Sequence, residues 1–533
     1  MRTFNTAGPV RPHKHYCLSP VNRFDLNKIE FLIHEEKYFI LHAPRQVGKT
    51  SYLLALMDYL NQQGTYCCLY VNVESAQANR EDIQAAMTAI LGEIASRARD
   101  HLGDLFLEGI MTDVLNQYGS SALNEFLTRW SKKSTKPIIL LIDEIDSLIG
   151  DTLISVLRQL RAGYDKRPDF FPQCIILCGV RDIRDYRIHS STQKAVITGG
   201  SAFNIKVESL RMTYFTQQDI EGLYQQHTQA TGQQFTANTL NLIWELTQGQ
   251  PWLVNALGYE VCFRTKEARQ HKETITAEMI QQAKEDIIKR REVHLDQLTD
   301  KLQEARVHRV IAPMLSGTQF EEAVLDDDIQ YVIDLGLVHR GSQGPEIANP
   351  IYREVIPRAL NYITQLNFES TIEPAWYIAS DGSIDMHKLM DAFQQFFREN
   401  SEHWLKRFKY QEAGPQLLLQ AFLQRIVNGG GRVQREYGLG RTLSDLLVVW
   451  HYEDTQTRDE KIQKVVMELK IRYGDLEKTI NAGLEQTWNY MDKADTQDGH
   501  LIIFDRSETT PWSEKIFKRK KSYKNAPIMV WGM

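Results

Sequence analysis

The chain is poor in cysteine, with six in 533 residues, and none follows Cys262. Cys17, Cys67, Cys68, Cys174, Cys178 and Cys262 show no paired C-x-x-C spacing, which excludes a disulfide framework or a thiolate zinc site as the organising element. They read as small buried apolar residues in a reducing compartment. Long hydrophobic runs are missing too. The run Ile138 to Ile142 stops at Asp143, well short of the roughly 18–20 residues a membrane helix needs. The N-terminal MRTFNTAGPVRPHKHY has no apolar core of the signal-peptide kind.

An excess of positive charge is also lacking. With 62 Lys+Arg against 68 Asp+Glu the formal charge is −6, so any nucleic-acid contact must come from a local basic surface. Low complexity is absent: 42% hydrophobic and 10% aromatic content excludes a disordered chain. These absences predict a soluble, cytoplasmic protein with no membrane association. Its length allows about three or four domains.

The first 210 residues alternate short apolar runs with longer amphipathic segments, which predicts a parallel α/β sheet with crossover helices. The expected strands are Lys37–His42, Thr65–Val71, Pro137–Ile142, Cys174–Cys178 and Phe203–Val207. A helical stretch is expected over 213–290, punctuated by Gly249 and Pro251. Another follows over 291–365, interrupted by a hairpin (Leu337–Arg340, then Glu346–Asn349) across Gly341-Ser-Gln-Gly344. Residues 366–400 read as a connection. Over 401–533 the pattern is a helix at Gly414–Val427, a Gly-Gly-Gly break, strands, a long helix at about 475–493, and further strands at His500–Phe504 and Ile528–Trp531.

Chemistry enters at Ala43-Pro44-Arg45-Gln46-Val47-Gly48-Lys49-Thr50, between an apolar strand and the helical Ser51–Leu60. A loop there aims main-chain N–H groups and a helix N-terminus at one point, which suits phosphate. Gly48 admits close backbone approach, Lys49 reaches the β/γ oxygens, and Thr50 offers a hydroxyl to Mg²⁺. Ala43 departs from the usual glycine at the first position of the motif. The apolar strand Pro137–Ile142 ends in Asp143-Glu144. Asp143 is expected on the magnesium shell, and Glu144 to orient or deprotonate the attacking water. The plainer reading has both carboxylates capping a helix over Ile145–Leu160.

These motifs resemble the STAND-type branch of the AAA-like ATPases over about residues 15–360. The resemblance implies ATP as ligand and a domain plan of ATPase (1–212), helical lid (213–290) and winged helix (291–365). It also implies a sensor arginine at Arg181, a lid Gly-x-Pro motif at Gly249-Gln-Pro251 near the nucleotide, and an upstream arginine at Arg23. Plainer readings have Arg181 paired with Asp182 or Asp185, and Pro251 merely starting a helix.

A second constellation lies near the C-terminus. In Val465-Val-Met-Glu468-Leu-Lys470-Ile, strand alternation puts Glu468 and Lys470 on one face. A buried charge needs a partner, and a metal shared with Asp445 would supply one. The block 401–533 resembles the PD-(D/E)xK nucleases over about residues 405–533. That resemblance implies Mg²⁺ or Mn²⁺ held by Asp445, Glu468 and the Leu469 carbonyl, with Lys470 activating water. It implies accessory roles for Glu412 and Gln486, and leaves Arg441 without a clear one. A basic cluster (Lys515, Lys518, Arg519, Lys520, Lys521, Lys524) with Phe517 and Tyr523 interleaved would hold a polynucleotide backbone.

Taken together these features predict an ATP-controlled, Mg²⁺-dependent nuclease acting on nucleic acid, DNA ahead of RNA. A homo-oligomer and a setting in mobile-element or phage defence fit the resemblance. Two other readings stay open. One is a signalling ATPase whose inactive nuclease fold is a binding platform; the other is a winged-helix DNA-binding loader or regulator.

Overall fold

Continuous apolar runs build four strands of the first sheet. In the computed structural model these are β1 (Tyr38–His42), β2 (Cys67–Asn72), β3 (Ile138–Asp143) and β4 (Cys174–Gly179). The described residues are 2–182, 187–190, 195–198, 203–290, 295, 300–316, 326–341, 344–368, 377–405, 415, 418–420, 422–423, 431–434, 446–455, 457–472, 474–505, 507 and 510–533. By internal contacts the chain divides into two units, Met1–Arg290 with Ile333–Leu337, and Arg291–Val332 with Val338–Met533.

In the first unit, β5 (Arg187–Ser190) and β6 (Ala195–Thr198) form a separate hairpin, and β7 (Lys206–Arg211) completes the main sheet. The strand order is β2-β3-β4-β1-β7, all parallel. Every residue of β3 and β4 is buried, as expected for parallel strands covered by helices on both faces. On one face Ile40, Leu140 and Ile175 pack with Met87, Ile94, Phe126 and Trp130. On the other, Phe39, Leu141 and Ile176 pack with Tyr52, Leu53 and Leu56 of the Lys49–Gln63 helix.

Two expectations shift here. The strand expected at Phe203–Val207 runs instead over Lys206–Arg211; Phe203 is a buried anchor ahead of it. As an edge strand, β7 carries charge, with Glu208 held by Lys28 at 3.0 Å, so no apolar run marks it. The helix expected at Ile145–Leu160 is a short turn, Ile145–Ser147, followed by the Gly150–Ala162 helix. The cause is Glu144, whose left-handed backbone (φ 56°) turns the chain at the strand end.

The stretch after β7 is helical, at Gln217–Thr231, Ala237–Thr247, Pro251–Phe263 and Ala277–Lys289. The N-terminal segment packs into it: Phe4 lies 4.8 Å from the Tyr224 ring, and Tyr16 edges onto His227 at 5.5 Å. Beyond Arg290 the helices Ala305–Ser316 and Asp326–Asp334 precede a hairpin of β8 (Val338–Gly341) and β9 (Gly344–Ile347), followed by the Pro350–Phe368 helix.

The C-terminal sheet is mixed, in the order β10-β11-β12-β13-β15-β14. Its strands are β10 (Gly431–Gln434), β11 (Leu446–Glu453), β12 (Glu460–Ile471), β13 (Gly499–Phe504), β14 (Phe517–Tyr523) and β15 (Ala526–Gly532). The Leu476–Ala494 helix covers one face, where Ile480, Leu484 and Met491 meet Leu447, Val466, Leu501 and Val530. The Met386–Leu405 helix covers the other, with Phe397 5.4 Å from Phe504 and Gln394 donating to the Gly532 carbonyl at 2.8 Å. That helix occupies much of the stretch read as a connection, so those residues belong to this sheet's core. β12 begins at Glu460 with exposed polar residues, which hide the start of the strand in the sequence. Within the span expected as the Gly414–Val427 helix, 415, 418–420 and 422–423 are helical. Among the described residues, no helix is long and apolar enough to cross a membrane.

Candidate nucleotide site and C-terminal carboxylate

Four elements converge at the C-terminal edge of the first sheet. β1 runs into Ala43, whose N–H donates to the Gly179 carbonyl of β4 at 3.2 Å. The loop then reverses through Gln46 and Gly48, with φ of 58° and 105°. Gly48 leads into the Lys49–Gln63 helix with no side-chain cap, so the first N–H groups of that helix face the loop. Arg45 and Gln46 are exposed, while Ala43, Pro44 and Val47 are buried. Lys49 is also buried and curls back, donating to the carbonyls of Ala43 at 2.9 Å and Pro44 at 3.1 Å. Ser51 accepts the N–H of Val10 at 2.9 Å, which ties the N-terminal segment to this helix.

Asp143 ends β3 fully buried. Its Oδ2 accepts the Thr50 hydroxyl at 2.7 Å and the Tyr70 phenol at 3.1 Å, and its Oδ1 accepts the Glu144 N–H at 3.0 Å. Burial, followed by the Asp143 charge, pushes the Tyr70 phenol well above the usual tyrosine range, so it stays a donor. Thr50 and Asp143 thus bring two hard oxygens together beside an anion-favouring helix end. That donor set fits a magnesium ion shared with a phosphate chain. Glu144 is half-buried beside the loop; burial raises its carboxyl above the ordinary range against the pull of Lys49.

Arg181 lies just past β4, buried, with Nε 3.4 Å from Asp334 Oδ2. That contact adds Asp334 as a partner the sequence did not suggest, and Asp185 lies outside the described residues. Pro251 is the buried first residue of its helix, and Gln250 caps that helix through the Leu253 N–H at 2.6 Å. Gly249 has φ +73°, and a Cβ there would meet the Phe215 carbonyl at 2.0 Å, so the position demands glycine. Phe215 in turn stacks under the Arg23 guanidinium at 4.6 Å, and Arg23 donates to the Val47 carbonyl at 3.5 Å. Through that chain the Gly-x-Pro turn is linked to the phosphate loop. Sequence reasoning missed Tyr70, Asp334 and the Val10 tether. Each depends on strand order or on contacts between remote segments.

In the C-terminal sheet, Glu468 is 2% exposed and its Oε1 lies 2.6 Å from Lys470 Nζ. The two share the face of β12 that carries Val466, beneath the Leu476–Ala494 helix. Glu468 thus has Lys470 as an ion-pair partner on its own strand, while the expected metal partner Asp445 is outside the described residues. Leu469 faces the other way and pairs with Ile502 of β13. Gln486 is exposed, and the buried position beside it is taken by Thr487. Asp445, Glu412 and Arg441 lie outside the described residues. Among the described residues, no group of three or more His, Cys, Asp or Glu side chains is disposed to hold a metal.

The basic cluster is divided by strand alternation. Arg519 and Lys521 share one face of β14 and both reach Glu477, at 2.8 and 3.4 Å. Lys518 takes the opposite face, paired with Asp391 at 3.1 Å and lying over Trp531. Lys524 covers the Trp488 ring at 3.8 Å. Much of the cluster is therefore balanced by neighbouring carboxylates and split between two faces.

A five-stranded parallel sheet with this loop, lysine and strand-end aspartate defines a P-loop NTPase core. The profile of the AAA-like domain family matches residues 27–356, and the chain belongs to that family. No curated protein matches it. Among solved structures, a Walker-type ATPase of Pyrococcus abyssi is similar at 14% identity and TM-score 0.45, over 66% of this chain and 99% of that one. Cdc6p from Pyrobaculum aerophilum is similar at 15% identity and TM-score 0.34, over 70% and 93%. The RuvB Holliday junction branch migration motor of Thermotoga maritima is similar at 13% identity and TM-score 0.33, over 62% and 93%.

Proposed function

We propose that the chain is a cytoplasmic ATP-binding and ATP-hydrolysing switch whose C-terminal sheet is the output module. The observation that carries this reading is the Thr50–Asp143 contact of 2.7 Å at the mouth of the phosphate loop. Thr50 and Asp143 would hold Mg²⁺, which neutralises phosphate charge when bound. Lys49 would exchange its loop carbonyls for the β/γ-phosphate oxygens. Glu144, raised by burial, would orient a water and take its proton as that water attacks the γ-phosphorus. The bond to the bridging oxygen then breaks and ADP leaves. Arg181, if released from Asp334, is a further cation for the γ-phosphate. The Gly249–Pro251 turn is read as the lid edge. The helices and hairpin over 305–347 support a winged-helix reading.

For the output, we infer a nuclease of the PD-(D/E)xK type acting on nucleic acid, DNA ahead of RNA. What supports it is the Glu468–Lys470 pair on one face of a central strand, with Asp445 two positions before Leu447 in sequence. A second reading is favoured by a specific observation. Lys470 already satisfies Glu468 at 2.6 Å, as a nuclease fold kept as a binding platform would have it. One assay separates them: purified protein with Mg²⁺ on DNA and RNA, with and without ATP, beside Lys49→Ala and Lys470→Ala. The switch reading expects Lys49→Ala to lose nucleotide binding by roughly 100-fold, about 3 kcal/mol, and to alter cleavage. Cleavage identical to the parent under all nucleotide conditions would sink the switch. Absence of any cleavage by the parent would leave the platform.

A further inference from the structure

We propose that Tyr70 is a positioning residue for the magnesium site, holding the Asp143 carboxylate in place when Thr50 turns to the ion. The inference rests on the nucleotide reading above and concerns a residue of β2 that carries no part of the phosphate-loop motif.

Among the described residues, the Thr50 hydroxyl, the Tyr70 phenol and the Glu144 N–H donate to the Asp143 carboxylate, with the Cys178 thiol of β4 nearby. Thr50 and Tyr70 share Oδ2, at 2.7 and 3.1 Å, and the Glu144 N–H takes Oδ1 at 3.0 Å. A carboxylate with no solvent exposure needs such donors, because an unpaired buried acceptor costs free energy. A hydroxyl that coordinates a cation must direct its lone pairs to the metal, so the Thr50 proton is no longer fixed toward Oδ2. Tyr70 can donate there throughout, since the phenol is not required at the phosphate loop.

The ring is fixed from the far side. Arg97 lies over it at 5.4 Å, and Arg97 is itself held by Glu93 at 2.8 Å. Strand pairing sets its height, because Tyr70 is opposite Leu141, two residues before Asp143. Phenylalanine would fill the same space among the apolar neighbours. The hydroxyl, 3% exposed with the rest of the side chain, therefore has its role at Asp143. Groups that orient a metal ligand typically set its affinity as strongly as some ligands do.

The test is equilibrium binding of a fluorescent ATP analogue to the full chain, without divalent metal and over a Mg²⁺ titration, for the parent and Tyr70→Phe. The expected result is unchanged metal-free affinity and a half-saturating Mg²⁺ concentration raised about 10-fold. A Mg²⁺ curve that overlays the parent's overturns the proposal. So does an equal loss of affinity with and without Mg²⁺, which would assign Tyr70 to the fold alone. A parent that binds the analogue with no Mg²⁺ dependence would instead bring down the nucleotide-site reading, a separate failure.

Discussion

Both large sheets bury a carboxylate in a strand, Asp143 in β3 and Glu468 in β12, and they satisfy it by different means. Asp143 draws side-chain donors from Thr50 and Tyr70, 93 and 73 positions away. Glu468 is met by Lys470, two residues along the same strand. A local pair follows from alternation alone and can form on any strand face. Convergence of remote donors on one oxygen needs a whole fold to arrange it. The first is therefore far stronger evidence of a site than the second, although both motifs look equally pointed as sequence.

The largest expected effect tests the first sheet. Glu144→Gln should keep nucleotide binding and lower ATP hydrolysis by roughly 10²–10⁴-fold, the span attributed to general-base catalysis. The pH profile sharpens this. Burial raises the Glu144 carboxyl, so the base is protonated and inactive below that raised value. The acid limb of the parent should fall above the ordinary glutamate range, with activity gained as pH rises through it. The same burial disfavours the ionised form, so this group's contribution to stability is present at low pH and is lost as pH rises through its folded value. An acid limb unchanged in Glu144→Gln, measured by phosphate release, would remove Glu144 from the role.

A smaller effect probes the second sheet. If Lys470 is there to balance buried Glu468, Lys470→Met should destabilise by about 3–5 kcal/mol, the scale for stranding a buried charge. Glu468→Gln combined with Lys470→Met should recover most of that in denaturant unfolding. If Glu468 is instead a metal ligand, Mg²⁺ should restore the stability of Lys470→Met and leave the double variant unmoved. That result would make the two sheets alike and break the contrast.

The same contrast separates what the amino-acid sequence discloses from what only the fold does. Strands β1 to β4 are visible because parallel strands buried on both faces must be apolar throughout, and the phosphate loop is visible because glycine, lysine and threonine adjoin. β7 and the start of β12 are hidden, since edge and protruding strands tolerate Glu208, Glu460 and Lys461. Tyr70 is hidden for another reason: nothing along the chain announces that β2 lies beside β3. The Glu468–Lys470 pair was visible, but alternation alone does not distinguish a salt bridge from a shared metal. The basic cluster likewise looks continuous in sequence until alternation and Glu477 divide it.

The smallest expected effect concerns the one departure from the loop motif. Ala43 stands where glycine is usual, yet its backbone is outside the left-handed region that Gln46 and Gly48 occupy. Its N–H is already committed to Gly179, and its methyl is fully buried. Nothing at this position calls for glycine's freedom. Ala43→Gly should therefore leave nucleotide affinity unchanged while costing about 0.5–1 kcal/mol of stability, through a more flexible unfolded chain and a lost buried methyl. Thermal unfolding and analogue binding read the two quantities separately. A gain in affinity on substitution would mean that the methyl obstructs the phosphate path, and the loop of this chain would then be a weakened form of the motif instead of an equivalent one.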